Sequence, residues 1–315
     1  MNDTIMFPGL HITLNHVGRS INVFGYRIAF YGIVIAIGML LGSYIILKEA
    51  KRRGFKEDDF LDIIIWSLII GVIGARAYYV AFAWDTYKYD LPSIFNIRQG
   101  GLAIYGGIIA GVITAFIVTK KKKMNFVEAA DIAIIGLPVG QCIGRWGNFF
   151  NREAFGDYSD GLFRMLIPLN QVRSRSDVTI KMLNNTVTIG KTEFISVHPT
   201  FLYESIWTLM VFIVIFIMRK HIRFNGQQFL TYVVLYGIGR FWIEGLRTDQ
   251  LILWNTNIPV SQLLSALGVI VGIALLIMGN LKVSAKKKAG IIADSDSNSI
   301  SDAEEVDRKS TEKNI

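Results

Sequence analysis

Residues 144–156 read GRWGNFFNREAFG, and Arg145 falls at the end of a long apolar stretch. An arginine at membrane depth costs about 2.5–3.5 kcal/mol even on lenient insertion scales, so it needs a partner or a task. Gly, Asn and Glu surround it, making this stretch a candidate polar site in an apolar chain. Gln141, Arg145 and Asn148 recur at i, i+4 and i+7 on one helical face, and so do Arg240, Glu244 and Arg247. Guanidinium groups pair bidentately with phosphate, and a dry site strengthens that contact. The chemistry implied is a grip on a phosphate, with Glu244 also suited to serve simply as the carboxylate partner of a buried Arg240.

The elements that must carry these residues are membrane helices. The chain has 315 residues, is 52% hydrophobic and has a mean hydropathy of +0.41, too apolar for an ordinary soluble domain. Its apolar residues concentrate in seven stretches near the length that spans a bilayer: 28–47, 60–82, 102–119, 127–149, 199–218, 229–246 and 261–278. The expected fold is an all-α polytopic membrane protein with seven transmembrane helices. The net charge of +8 is gathered after the first, third, fifth and seventh stretches, in alternate connections. That is an orientation signal rather than a nucleic-acid footprint. It places the N-terminus outside and the C-terminus in the cytoplasm.

Topology then sets depth. Arg145 lies roughly 27 Å along its segment from the inner end, and Arg240 and Glu244 fall in the outer half of theirs. Arg76, Tyr31, Tyr105, Tyr203, Glu204 and His198 fall near the outer ends of their own segments. The polar residues therefore converge at the outer headgroup level, whereas an ion pathway distributes them across the membrane. Arg76 can be a structural or snorkelling residue, or part of the site. The stripe Gly136, Gly140, Gly144 and Gly147, with Gly107 and Gly111, suits close helix packing.

Outside the membrane, residues 1–27 form an expected extracytoplasmic arm and 150–198 an extracytoplasmic insert between the fourth and fifth helices. No cleavable signal pattern precedes the first segment, so it reads as an uncleaved anchor. Within the insert, VTIKMLNNTVTI suggests a hairpin around Asn184 and Asn185. Residues 282–315 read as a disordered cytoplasmic tail. The single cysteine, Cys142, is expected to be a packing residue. Phosphate-loop, zinc-protease and serine-hydrolase motifs are absent, and no metal or other cofactor is expected. A transporter that binds an anionic headgroup, and a structural membrane subunit, are the competing classes.

These residues resemble a known family. The signature at 144–156 is similar to that of the prolipoprotein diacylglyceryl transferases. RIAFYGI at 27–33, GGLAIYGG at 100–107, HPTFLYE at 198–204 and GRFWIEGLR at 239–247 follow in the family's order. The resemblance implies transfer of the diacylglyceryl group of phosphatidylglycerol to the lipobox cysteine of a prolipoprotein signal peptide, within the lipid bilayer. The product is a thioether, and glycerol 1-phosphate leaves. It implies a substrate site of Arg145, Asn148, Glu153, Gly156 and Arg240, with Tyr31, Tyr105 and Glu244 as further catalytic residues. Tyr105 stands where many members have histidine. With a free pKa of about 10 it is a poor general base at neutral pH.

Overall fold

The computed structural model of the chain describes residues 3–97, 100–253 and 256–289. Their helices are α1 (Phe30–Arg52), α2 (Glu57–Phe82), α3 (Trp84–Tyr87), α4 (Ile104–Lys121), α5 (Phe126–Asn151), α6 (Ile180–Asn184), α7 (Thr200–Met218), α8 (Gln227–Glu244) and α9 (Val260–Lys288). Six of them, α1, α2, α4, α5, α7 and α9, are long and apolar enough to cross a bilayer. The chain is a helical, multi-pass membrane protein. The predicted segment 229–246 forms α8, which has the length but not the hydropathy of the other six. Gln227, Gln228, Arg240 and Glu244 dilute its apolar residues. At the other limit α9 runs on to Lys288, so the first seven residues of the expected tail are helical. From Gly290 that tail lies outside the described residues.

Local chemistry explains the helix ends. Asn125 caps α5 by accepting from the amides of Val127 at 2.9 Å and Glu128 at 3.3 Å. Glu57, Asp58 and Asp59 occupy the first turn of α2, while Lys51 and Arg52 occupy the last turn of α1. Each sign complements the helix dipole. The central helix is α5, packed against α1 and α7. Its glycine stripe permits that approach: a Cβ on Gly42 of α1 would stand 2.8 Å from the Gly136 carbonyl oxygen of α5. Outward faces carry exposed Leu40, Ile73, Ile217 and Ile270, the surface a bilayer covers.

One end of the bundle carries a head. Strands β1 (Ile5–Phe7), β2 (Ile12–Leu14), β5 (Met165–Pro168), β6 (Val187–Ile189) and β7 (Thr192–Val197) form an antiparallel sheet in the order β2-β1-β5-β7-β6. A separate hairpin pairs β3 (Ser20–Val23) with β4 (Tyr26–Ala29). The N-terminal arm and the 150–198 insert thus share one sheet, joined where Met6 faces Leu166. Ile5, Phe7, Met165, Ile167, Met182 and Ile195 form its core together with Phe149 and Phe201 from the helices. The hairpin expected around Asn184 and Asn185 is displaced. Thr179 caps Met182 at 3.3 Å and starts α6 there, while the true turn is Gly190-Lys191, with Gly190 at φ 63° between paired Ile189 and Thr192.

The opposite end corrects the expectation that buried polar residues lie at a single depth. Glu49 of α1 is 1% exposed and pairs with Arg52, with Arg53 at 2.9 Å and with Arg219 at 3.5 Å. Asp131 of α5 is fully buried and accepts from the backbone amides of Gly226 at 2.6 Å and Phe229 at 2.8 Å. These carboxylates fasten helix ends: Glu49 ties α1 to the end of α7, and Asp131 satisfies the open amides that start α8. Sequence depth alone missed Asp131 because its partners are distant in the chain; Glu49 has Arg52 and Arg53 close by, and only Arg219 is distant.

Candidate active site

Arg145 projects from α5 toward α7 and α8. Its Nε pairs with Glu204 Oε2 of α7. The other oxygen of Glu204 pairs with Arg240 Nη1 of α8 at 2.5 Å, and Arg240 Nη2 pairs with Glu244 Oε2 at 2.5 Å. Arg247, just past α8, approaches Glu204 Oε1 at 3.5 Å and Glu244 Oε2 at 3.8 Å. It also clasps Asp249 through two bonds of 2.9 and 2.6 Å. Three guanidinium groups therefore meet three carboxylates, and the formal charges cancel. Glu204 and Glu244 are 4% and 2% exposed, a burial that carboxylates tolerate only when paired.

Saturation differs sharply among the three arginines. Arg240 commits both terminal nitrogens to carboxylates, and Arg247 is held on both edges. Burial disfavours charge on Arg247, but the Asp249 bonds and the nearby Glu204 and Glu244 outweigh it and hold its pKa above the ordinary value. Burial also pushes Asp249 upward, and the Arg247 contacts overcome that to hold its carboxyl below the usual range. Arg145 is anchored only through Nε; its two terminal nitrogens have no partner among the described residues, and its side chain is 21% exposed. That free edge presents two parallel N–H donors, the geometry that matches a phosphate.

The signature loop is built to hold this arrangement. Glu153 accepts from Asn148 at 3.2 Å and from Asn151 at 3.0 Å, and pairs with Arg173 at 3.0 Å. Arg152 and Ala154 take left-handed backbone angles of 54° and 56° in φ, so the chain reverses sharply off the end of α5. Arg152 is buried and donates to the carbonyls of Phe150 and Val17. Gly156 then threads between two strands of chain. Its amide donates to His198 O at 2.9 Å, and a Cβ there would stand 2.8 Å from both Leu246 O and His198 Cβ. Thr200 closes the same junction through Ala154 O. The signature thus staples the ends of α5 and α8 to the start of α7, where the charged cluster sits.

Tyr31 and Tyr105 part company. The Tyr31 ring of α1 lies over Gly147, where a Cβ would come within 2.7 Å of the ring, and its hydroxyl is within electrostatic reach of Glu153, Arg145 and Arg173. Tyr105 meets Ser261 of α9 at 3.5 Å, its one hydrogen-bond partner among the described residues. The structure therefore gathers Arg145, Arg240 and Glu244 in one cluster, with Asn148, Glu153, Gly156 and Tyr31 around it. Tyr105 is joined to none of these. Cys142 Sγ meets Ser205 Oγ at 3.3 Å in the α5–α7 interface.

Comparison with known sequences supplies the family. The profile described as "Prolipoprotein diacylglyceryl transferase" matches residues 19–278. The chain belongs to that family. It is 43% identical over 272 residues to a phosphatidylglycerol–prolipoprotein diacylglyceryl transferase of Clostridioides difficile, covering 86% of this chain and 97% of the relative. A relative of the same name from Finegoldia magna is 42% identical over 259 residues, covering 82% and 94%. One from Clostridium perfringens is 41% identical over 280 residues, covering 88% and 99%.

Three members of the transferase's charged cluster escaped the sequence-derived site: Glu204, Arg247 and Asp249. Glu204 sits in HPTFLYE, and Arg247 is one turn beyond Glu244, so both carried a signal. Neither motif said which charged partner each would meet. Arg76, the other intramembrane arginine, is a loop clamp. It donates to the carbonyls of Ile94, Gly100, Gly101 and Ser93 at 2.7–2.9 Å and to Asn96 at 3.4 Å.

Proposed function

We propose that this transferase moves the diacylglyceryl group of phosphatidylglycerol onto the lipobox cysteine of a prolipoprotein. The free edge of Arg145 is the observation that carries the reading. The acceptor cysteine releases its proton to water and attacks the glyceryl carbon as the thiolate; the new S–C bond forms as the C–O bond to phosphate breaks, and the electron pair leaves on glycerol 1-phosphate. Arg145 takes the charge that grows on that phosphate in a site with little water. Arg240 and Glu244 work with Glu204 to fix the Arg145 guanidinium through its Nε. Tyr31 and Asn148 orient the headgroup, Glu153 holds the loop, and Gly156 gives the close crossing that the loop needs. The nucleophile belongs to the acceptor, so Cys142 takes no part. Tyr105 remains a residue of the α4–α9 interface, and no proton transfer is routed through it.

In this reading α8 is the seventh span, carried by its packing on α7 and α9 despite its polar residues. The basic ends of α1, α4, α7 and α9 face the cytoplasm of a cell membrane, and the head and charged cluster face the extracytoplasmic side. The competing transporter reading loses support from the opposite end of the bundle, where Glu49 and Asp131 are spent on fastening helix ends. The test supplies the purified chain with phosphatidylglycerol labelled in its glyceride part and a lipobox peptide. Label in a base-stable thioether is the expected outcome. Folded protein that moves lipid without forming the thioether would overturn the reading.

A further inference from the structure

A cavity lies in the head, at the base of the β3–β4 hairpin. Its volume is about 710 Å³, and its lining includes Arg19, Arg27, Asp3, Asn151, Asn170 and Gln171. The Arg27 side chain is exposed and lines the cavity, with no hydrogen-bond or ion-pair partner among the described residues. Arg19 is tied by one contact to the Gln171 carbonyl. Among the described lining residues Asp3 is the one acid against Arg19 and Arg27, so the cavity carries a net positive charge. Its amide side chains offer donors and acceptors together, which is what a peptide backbone requires and a lone phosphate does not.

The cavity also stands at a defined place relative to Arg145. Asn151 shares Glu153 with Asn148, so the cavity wall is joined through one carboxylate to the signature loop that follows Arg145. Asn151 lies six positions after Arg145 on α5, a rise of roughly 9 Å along the helix axis. An extended chain covers that distance in two to three residues, at about 3.3–3.6 Å each.

Resting on the proposed transfer reaction, we infer that this cavity binds the acceptor polypeptide just beyond its reacting cysteine. It holds the second and third residues after the cysteine in extended form, and Arg27 and Arg19 favour acidic side chains there. The sulfur then sits at the Arg145 level while the following chain leaves through the head. The cavity is thus a specificity subsite, separate from the phosphate grip.

The test uses the full chain in neutral detergent micelles containing phosphatidylglycerol. Lipobox peptides carry aspartate, alanine or lysine at those two positions. The expected result is a KM that rises from aspartate to alanine to lysine, roughly fivefold overall for exposed ion pairs, with kcat unchanged. Arg27→Glu should reverse the order. Normal transfer with one KM for all three peptides overturns the subsite and leaves the transfer reaction standing, as does an order that Arg27→Glu does not alter. No transfer from any peptide by the unaltered protein overturns the underlying reading and the subsite with it. Should Arg27→Glu fail to fold, the peptide series on the unaltered protein still decides.

Discussion

Arg76 and Arg145 are both arginines within helices that can span a bilayer, and they answer the same energetic problem in opposite ways. Arg76 spreads its guanidinium over the carbonyls of the 93–101 connection and lies against the Tyr87 ring at 5.1 Å. Every donor nitrogen is used, and the residue is 7% exposed. Arg145 uses one nitrogen on Glu204 and leaves two without partners in the described residues. The first arrangement stores its charge in structure. The second keeps a charge ready for a ligand. In a buried setting, incomplete saturation marks function better than residue type does.

Substitution at either arginine should separate the two roles. Arg145→Ala should lower transfer by about 10³-fold, near the upper range for loss of one preorganised charge donor, with little change in the folded fraction. Next in size, Glu204→Gln should lower it by roughly 10²-fold and lower the melting temperature as well. It leaves Arg145 unaimed and strips Arg240 of one partner in a buried site. Arg76→Ala should show the reverse balance: a fall of several degrees in melting temperature, with kcat per folded molecule within about threefold of the original. Five carbonyls lose a donor, but no reacting group moves. Thermal melts paired with active-fraction measurements separate these cases.

Smaller effects sharpen the same contrast. Burial, aided by Lys181 and opposed by Asp157 and Asp160, holds the His198 pKa below its ordinary value. The folded state therefore binds fewer protons than the unfolded state below about pH 6.5. The sign follows: stability should fall as pH drops through that range, and His198→Gln should flatten the decline in melts taken from pH 7.5 to 5. Cys142→Ala should change transfer by less than about twofold, because it removes only a small packing side chain.

How much of this was legible in the sequence depends on range. The helices were written in continuous apolar stretches, and the i, i+4, i+7 spacing put Arg240 in register with Glu244. The glycine stripe of α5 announced a close neighbour. The pairing of Arg145 with Glu204, 59 positions later, and of Glu49 with Arg219, 170 positions later, left no local trace. The same is true of Met6 meeting Leu166 in the head sheet. Asn184-Asn185 misled for a local reason: the Thr179 cap favoured a turn of helix before the strands could begin. Arg76 and Arg145 looked alike in sequence, and only the partners of each told them apart.

The most direct measurement is the affinity of the purified chain for glycerol 1-phosphate, the leaving group of the proposed reaction, compared between Arg145→Ala and Arg76→Ala. Arg145→Ala should weaken binding at least tenfold, the loss of about 1.4 kcal/mol or more from a bidentate charged contact. Folded Arg76→Ala should bind as the original does. Equal binding by Arg145→Ala and the unaltered protein would contradict the claim that its free edge grips the phosphate.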